Sequence, residues 1–195
     1  MFARSGGDDI AMGTGCTAVS AIITPDKIYV GNSGDSRCIV GVKEGGAIKA
    51  VALSEDHKPD NAGEKARIEK AGGFVEENRV KGILNLSRSL GDLEYKQDPN
   101  LRPDDQMITC VPEIKTYDMS SEVEFVFLAC DGIWDCLTNQ QAAEFIHERI
   151  NKVNDTSYKP SSIVAEMFDK IIATSVAASG GIGCDNMTAV VVKLL

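Results

Sequence analysis

The stretch VEFVFLACDGIWD, residues 123–135, decides the fold more than any other part of the sequence. Residues 123–130 are apolar nearly throughout, which predicts a strand buried within a sheet. The strand runs directly into Asp131-Gly132, and strand ends are where a scaffold often presents functional groups. Asp135 lies four residues after Asp131, so a helical turn would put both carboxylates on one side. The stretch therefore predicts a buried strand that ends in two neighbouring acidic groups.

Short β-prone runs upstream of this strand, separated by turn signals, predict an antiparallel β meander over residues 16–54. The individual runs are residues 17–23, 27–32, 37–42 and 48–53. Turn residues lie between them, including Pro25 and the pair Gly45-Gly46. A last strand is predicted near residues 187–194.

Three other segments carry helical signals. Helices are predicted for residues 61–71, 138–152 and 161–178. Asn61 with Glu64, and Thr138 with Gln141, each resemble a capping box at a helix start. Strands that are mostly sequential, followed by helices, predict an α+β fold rather than alternating βαβ units.

Length and composition indicate one domain or a large piece of one, with 195 residues, 43% hydrophobic and 25% charged. The net charge is −9 and there is no Lys/Arg stripe, so nucleic acid is not an expected partner. No apolar run approaches the ~18 residues that span a bilayer, and residues 1–15 lack a signal-peptide core, so no membrane association is expected. The six cysteines form no CxxC pair and predict free thiols in the cytoplasm or nucleus.

Four aspartates stand beside glycine or at predicted strand ends: Asp35, Asp131, Asp135 and Asp185. Converging carboxylates repel one another unless they are protonated or neutralised by a cation. Hard oxygen ligands of this kind favour Mg²⁺ or Mn²⁺. Asp-Gly is also a common turn pair, so spacing alone leaves a metal site and a set of ordinary turns as alternatives.

Eight short blocks follow one another in a specific order along the chain. They are GCTAV (15–19), NSGDSR (32–37), DHKP (56–59), EKARIEKAGG (64–73), LSRSLGD (86–92), PE (112–113), ACDGIWD (129–135) and DNMT (185–188). In this order they resemble the type-2C metal-dependent protein serine/threonine phosphatases. The resemblance runs from about Thr14 to the C-terminus, and it identifies residues 14–195 as the C-terminal part of such a catalytic domain.

The resemblance implies an α-β-β-α sandwich of two antiparallel sheets flanked by helices, here incomplete. It also implies hydrolysis of phosphoserine and phosphothreonine in phosphoprotein substrates. Two core Mg²⁺ or Mn²⁺ ions and a metal-bound hydroxide would carry out that reaction. By the same resemblance, Asp131 and Asp185 are ligands of the core metals. Asp35 and Asp135, with Asp131, are ligands of a weaker third ion, and residues of about 57–110 form a flap beside the site.

The front of the family pattern is missing from the sequence. Family members carry a phosphate-binding Arg, an acidic pair and an Asp-Gly-His-Gly motif there, whereas residues 1–13 contain none of these and are expected to be flexible. We therefore assign no catalytic residue beyond the metal ligands, and expect the chain alone to be inactive and to self-associate. The alternative is a non-catalytic phosphatase-like module that binds or regulates a partner.

Structural roles are expected for the remaining candidate residues. His57 is interpreted as part of a turn into the flap, and His147 as a solvated residue on a polar helix face. Trp134 is interpreted as a packing residue, and Arg88 as a member of an ion pair. Because no histidine is near Ser36 or Ser87 in sequence, a serine nucleophile is disfavoured.

Overall fold

The computed structural model describes residues 12–152 and 159–194, which form two compact units. The first unit comprises Met1–Ala18, Asn32–Asp35 and Asp56–Glu113, and the second comprises Val19–Gly31, Ser36–Glu55 and Ile114–Leu195. Of the predicted flexible segment 1–13, residues 1–11 lie outside the described part of the chain.

Two β-sheets form the framework of the second unit. The strands of the four-stranded antiparallel sheet are β4 (Arg37–Glu44), β5 (Ala47–Ala52), β10 (Val123–Ala129) and β11 (Ala189–Lys193), in the order β11-β10-β4-β5. The strands of the three-stranded sheet are β2 (Ala18–Ile23), β3 (Lys27–Ser33) and β9 (Glu113–Asp118), in the order β2-β3-β9.

The predicted single meander is wrong, because consecutive strands β3 and β4 belong to different sheets. Strand β4 instead lies between β10 and β5, with Arg37 opposite Ala129. Cys38, Ile39 and Val40 of β4 are all fully buried, so both faces of this strand need cover. A central position in a sheet that is covered on both sides meets that need.

Two apolar cores account for the layering of this unit. The core between the sheets joins Ile28 of β3 to Val40 of β4 and Val126 of β10. The other core joins the four-stranded sheet to helices α3 (Asn139–Lys152) and α4 (Pro160–Ile171). A bulge at the start of β10 lets Val123 contribute to the first core while Phe125 contributes to the second. The predicted α+β class with antiparallel sheets is therefore confirmed.

The helices of the second unit follow the sequence prediction only in part. Helix α3 begins with the predicted capping box, in which Thr138 N–H donates to Gln141 Oε1 over 2.9 Å and Gln141 N–H donates to Thr138 Oγ1 over 3.2 Å. The helix predicted for 161–178 ends early, because Ile172 is extended and Ala173 N–H donates to the Gly183 carbonyl over 2.8 Å. A separate short helix, α5, covers Val176–Ser179.

In its described residues, the first unit consists of one α-helix, short strands and loops around a small core. Helix α1 (Ala62–Lys70) confirms the helix predicted for 61–71. Strand pairs β1 (Gly15–Cys16) with β8 (Leu90–Gly91) and β6 (Val75–Glu76) with β7 (Arg79–Val80) accompany it, as does a 3₁₀ turn over Leu93–Tyr95. The core members are Ile68, Val80, Tyr95, Met107 and Ile108.

One face of the three-stranded sheet exposes large apolar side chains. Ile28 and Val30 of β3 point into the core between the sheets, so Tyr29 between them points outward. Tyr29 is 40% exposed, and Ile22 of β2 and Ile114 of β9 are 67% and 61% exposed. No helix in residues 12–152 and 159–194 is long and apolar enough to cross a membrane.

Candidate metal centre

Two of the predicted ligand segments lie at the same end of the four-stranded sheet, where β10 ends and β11 begins. Ala129 pairs with Ala189, and the Cys130 N–H donates to the Thr188 carbonyl over 3.1 Å. The Cys130 thiol adds two contacts, because it donates to the Asn186 carbonyl over 3.4 Å and accepts from Thr188 N–H over 3.2 Å. Asp131 follows directly on one strand, and Asp185 lies shortly before the other.

A glycine sets the separation of these two segments. A Cβ atom placed on Gly132 would stand 2.3 Å from the Asn186 carbonyl oxygen and 3.5 Å from Asp185 Cβ. Any side chain at residue 132 would therefore force the segments apart. The Asp131-Gly132 pair, which the sequence left open as an ordinary turn, allows close contact with Asp185-Asn186.

Asp131 and Asp135 lie on one turn of helix, as predicted from their spacing. Helix α2 spans Asp131–Trp134, and Asp135 N–H donates to the Asp131 carbonyl over 2.8 Å. Trp134 anchors this turn, because its indole N–H donates to the Ala129 carbonyl over 2.8 Å and its ring meets Phe127 edge-to-face with centroids 5.4 Å apart. The interpretation of Trp134 as a packing residue is confirmed.

The carboxylates of Asp131, Asp135 and Asp185 have the chemistry of ligands for a hard cation, but they do not form a complete site. Asp131 is half-buried, whereas Asp135 and Asp185 are exposed. The donor set is all oxygen, which matches Mg²⁺ or Mn²⁺. Across the described ranges, however, no group of three or more His, Cys, Asp or Glu side chains converges closely enough to hold a metal ion. The described side chains thus fit part of a coordination shell and do not complete one.

Asp35, the fourth predicted ligand, belongs to the first unit and is buried, at 2% exposure. Its carboxylate forms an ion pair with Lys58 Nζ. The neighbouring His57 holds the backbone of this loop, because His57 N–H donates to the Gly34 carbonyl over 3.0 Å and its Nδ1 lies 3.2 Å from Gly34 N. Burial, and then the charge of Arg88, lower the pKa of His57, which favours the neutral ring. The structural interpretation of His57 is confirmed; the Lys58 contact was missed.

Glu64 has a different role from the capping residue that the sequence predicted. The Asn61 side chain makes no cap bond to α1 and donates instead to the Asp56 carbonyl over 2.7 Å. The Glu64 carboxylate accepts from Ser87 Oγ over 2.6 Å and from Arg88 Nη2 over 2.6 Å. Arg67 Nη1 lies 2.8 Å from the same carboxylate. The capping box at residue 61 is therefore wrong, and the Arg88 ion pair is confirmed.

His147 is also placed differently from the prediction. Its side chain is only 23% exposed, and its Nδ1 lies 2.5 Å from Glu124 Oε2. Glu124 is buried at the bulge of β10 and also meets Lys43 Nζ at 3.2 Å. A buried carboxylate requires such partners, so His147 faces inward rather than into solvent.

Comparison with known proteins gives consistent matches. The family model for protein phosphatase 2C matches residues 5–180. Protein phosphatase 2C homolog 2 of Aspergillus flavus is 45% identical over 182 residues, which cover 93% of this chain and 40% of that protein. Probable protein phosphatase 2C 60 of Arabidopsis thaliana is 44% identical over 180 residues, which cover 92% of this chain and 48% of that protein. The chain thus spans less than half the length of these two relatives.

Two solved structures are also similar to this chain. The crystal structure of serine-threonine phosphatase 2C from Toxoplasma gondii aligns with a TM-score of 0.69 and 25% identity, over 90% of this chain and 57% of that one. The structure of a C. elegans sex determining protein aligns with a TM-score of 0.65 and 29% identity, over 90% of this chain and 39% of that one.

Proposed function

Because the chain belongs to the protein phosphatase 2C family, we propose that its protein hydrolyses phosphoserine and phosphothreonine in phosphoprotein substrates with Mg²⁺ or Mn²⁺. The observation that carries this proposal is that the Asp131 and Asp185 segments lie close together at one end of the four-stranded sheet. Their close approach depends on Gly132 and on the backbone bond between Cys130 and Thr188.

The described carboxylates have distinct parts in this proposal. Asp131 and Asp185 would bind the core ions. Asp135, one helical turn after Asp131, and Asp35, in the first unit, would be ligands of the weaker third ion. Bound divalent ions can lower the pKa of water and neutralise phosphoryl oxygens. The chain's own contribution is to hold the carboxylates. Trp134 holds the turn that carries Asp131 and Asp135, and the pairing of β10 with β11 holds the segment that follows Asp185.

Residues of about 57–110 would influence the choice of substrate as a flap. Support comes from the hydrogen bonds that Ser87 and Arg88 donate to the Glu64 carboxylate, because they connect helix α1 to the loop at residues 87 and 88. Arg88 Nη1 also donates to the Val111 carbonyl over 3.0 Å. A flap held by buried ion pairs would keep a defined shape, which is a requirement for discriminating between phosphoproteins.

The centre would require ligands beyond the carboxylates that residues 12–152 and 159–194 bring together. Support comes from the absence of a three-residue metal-binding group in the described parts and from the lack of an Asp-Gly-His-Gly motif in the sequence. We expect the 195-residue chain alone to have little phosphatase activity, because misplacement of a reacting group by about 1 Å can cost on the order of 100-fold in rate.

The direct test is release of phosphate from a phosphothreonine peptide by the intact protein. Hydrolysis that requires Mn²⁺ and stops on chelation supports the proposal. Absence of hydrolysis by a folded, Mn²⁺-loaded protein contradicts it and favours the non-catalytic binding module. The 195-residue chain assayed in parallel should be at least about 100-fold slower; comparable rates would show that the described carboxylates suffice.

A further inference from the structure

Two free cysteines stand directly beside proposed metal ligands. Cys136 follows Asp135 and Cys184 precedes Asp185, and all four residues belong to the second unit. The Cys184 side chain is exposed and that of Cys136 is half-buried. Neither thiol has a part in the metal centre proposed above, yet a covalent link between them would join its two ligand segments.

The turn that carries Cys136 contacts the segment that carries Cys184. The Cys136 thiol donates to the Gly132 carbonyl over 3.5 Å. Gly132 in turn is the residue whose added Cβ atom would stand 3.5 Å from Asp185 Cβ. The Cys136 thiol is therefore bonded to the residue at which the two segments meet.

The surroundings of the Cys136 sulfur place Cys184 close to it. Burial is the largest cause of the raised pKa of the Cys136 thiol; the backbone N–H of Gly183 lowers this pKa, and the charge of Cys184 raises it. Such groups act on a pKa over short distances, so Gly183 and Cys184 are near neighbours of the Cys136 sulfur.

The backbone before Cys184 is fixed, whereas its thiol is loosely held. A Cβ atom on Gly183 would lie 2.3 Å from the Ile171 carbonyl oxygen, which shows how closely this backbone packs on the end of helix α4. The Cys184 thiol makes weak contacts, with Ser179 Oγ at 3.4 Å and the Ile182 carbonyl at 3.9 Å. Rotation about its Cα–Cβ bond can therefore turn the thiol without moving the backbone.

We propose that Cys136 and Cys184 are a site of reversible oxidation, at which hydrogen peroxide links them as a disulfide and disturbs the metal centre. The exposed Cys184 thiol reacts first: its sulfur attacks one peroxide oxygen, the O–O bond breaks, and a sulfenic acid and one water molecule form. The Cys136 sulfur then attacks the sulfenic sulfur. The S–O bond breaks, and the hydroxyl leaves as a second water molecule with the Cys136 proton. The two thiols lose two electrons, which the peroxide gains.

The disulfide would constrain the positions of the ligands beside it. It holds the two Cα atoms at a separation of about 4.4–6.8 Å, and Asp135 and Asp185 are each one residue away from the link. Misplacement of a reacting group by about 1 Å can cost on the order of 100-fold in rate. This effect on activity rests on the proposed function, whereas formation of the disulfide does not.

The test is peptide mapping by mass spectrometry of the intact protein after exposure to hydrogen peroxide. A peptide that links Cys136 to Cys184 is expected, and it should disappear on treatment with dithiothreitol. In the same samples, Mn²⁺-dependent hydrolysis of a phosphothreonine peptide should fall at least roughly tenfold and return with dithiothreitol. Absence of the linked peptide, or a link formed by the neighbouring Cys130 instead, would overturn the proposal.

Substitutions separate this pair from general oxidation damage. Cys136→Ser and Cys184→Ser should each hydrolyse the peptide at the unsubstituted rate and keep that rate in peroxide. The matched control is Cys110→Ser, which removes an exposed thiol from the first unit and should leave both the disulfide and the loss of activity intact. Equal losses of activity in Cys184→Ser and in the unsubstituted protein would refute the effect on the metal centre.

The mapping experiment does not depend on activity, so the two proposals can fail separately. A protein that forms the disulfide but hydrolyses no phosphopeptide before oxidation would contradict the proposed function alone. A protein that hydrolyses the phosphopeptide but forms no link between Cys136 and Cys184 would contradict this inference alone.

Discussion

Gly132 approaches Asn186 so closely that a Cβ atom on residue 132 would lie 2.3 Å from the Asn186 carbonyl oxygen. That oxygen belongs to the backbone, so it cannot turn away as the end of a flexible side chain could. The contact sets the spacing between the Asp131 and Asp185 segments, and it makes the site sensitive to a single methyl group.

Gly132→Ala is therefore expected to lower the free energy of unfolding by about 1–3 kcal/mol, the range typical of overpacking. Urea denaturation of the intact protein measures this change. The matched control is Gly63→Ala in helix α1, where an added Cβ meets nothing within 4 Å. That variant should be neutral or more stable by up to about 1 kcal/mol. Equal stability of Gly132→Ala and the control would contradict the packing argument.

Strands β4 and β10 could be predicted because their residues are apolar over a continuous run. Strand β9 could not be predicted in this way. Its apolar residue Ile114 points outward and its charged residue Lys115 lies on the opposite face, so the alternation of polar and apolar residues does not mark the buried face. The helix predicted for 161–178 failed for a related reason. Ile172 and Val176 have helical spacing, but they are 59% and 67% exposed, and the backbone breaks to reach Gly183.

The buried Glu64 is expected to make stability depend on pH. Burial raises its pKa, but hydrogen bonds from Arg88 and Ser87 and the charge of Arg67 outweigh burial and hold the pKa at about 2, against an ordinary 4.5. Because the folded pKa is the lower one, the stabilisation is complete above about pH 4.5. It falls as the pH is lowered from about 4.5 through 2, and it is lost below about pH 2, where both states are protonated.

Glu64→Gln should accordingly lower the free energy of unfolding by about 3 kcal/mol at pH 7, and by less at pH 3. Urea denaturation at the two pH values gives both numbers. Glu69→Gln, on the same helix, is the control, because Glu69 meets Lys65 at 3.9 Å with both side chains about half exposed. Its effect should stay within about 0.5 kcal/mol. A Glu64→Gln effect that is small, or independent of pH, would contradict the assignment.

Exposed apolar side chains on the three-stranded sheet are expected to drive self-association of the 195-residue chain. Ile22 and Ile114 are 67% and 61% exposed on strands of this sheet. Light scattering should show a mass above the monomer, and Ile22→Asp with Ile114→Asp should restore the monomer. Ile83→Asp is the control, since Ile83 is 69% exposed in the first unit. A monomeric unsubstituted chain would contradict this expectation.

The candidate site was predictable only at the level of residue type. Asp131, Asp135 and Asp185 could be selected because they follow or precede recognisable strands. The partners of Asp35 and Glu64 could not, since Lys58 and Arg88 lie 23 and 24 residues away from them and only the folded chain brings them together. The prediction that His147 is solvated was wrong because its partner, Glu124, is buried at a bulge in β10. The apolar sequence of that strand gives no sign of the bulge.

The measurement that tests the central claim most directly is Mn²⁺-dependent hydrolysis of a phosphothreonine peptide by Asp131→Asn and Asp185→Asn variants of the intact protein. Each variant should lose at least about 100-fold in rate, since even residues that only support a metal ligand commonly cost 10–100-fold. Asp169→Asn, at an exposed position of helix α4, should retain full activity. Hydrolysis by Asp131→Asn or Asp185→Asn at the unsubstituted rate and with unchanged Mn²⁺ dependence would contradict the account.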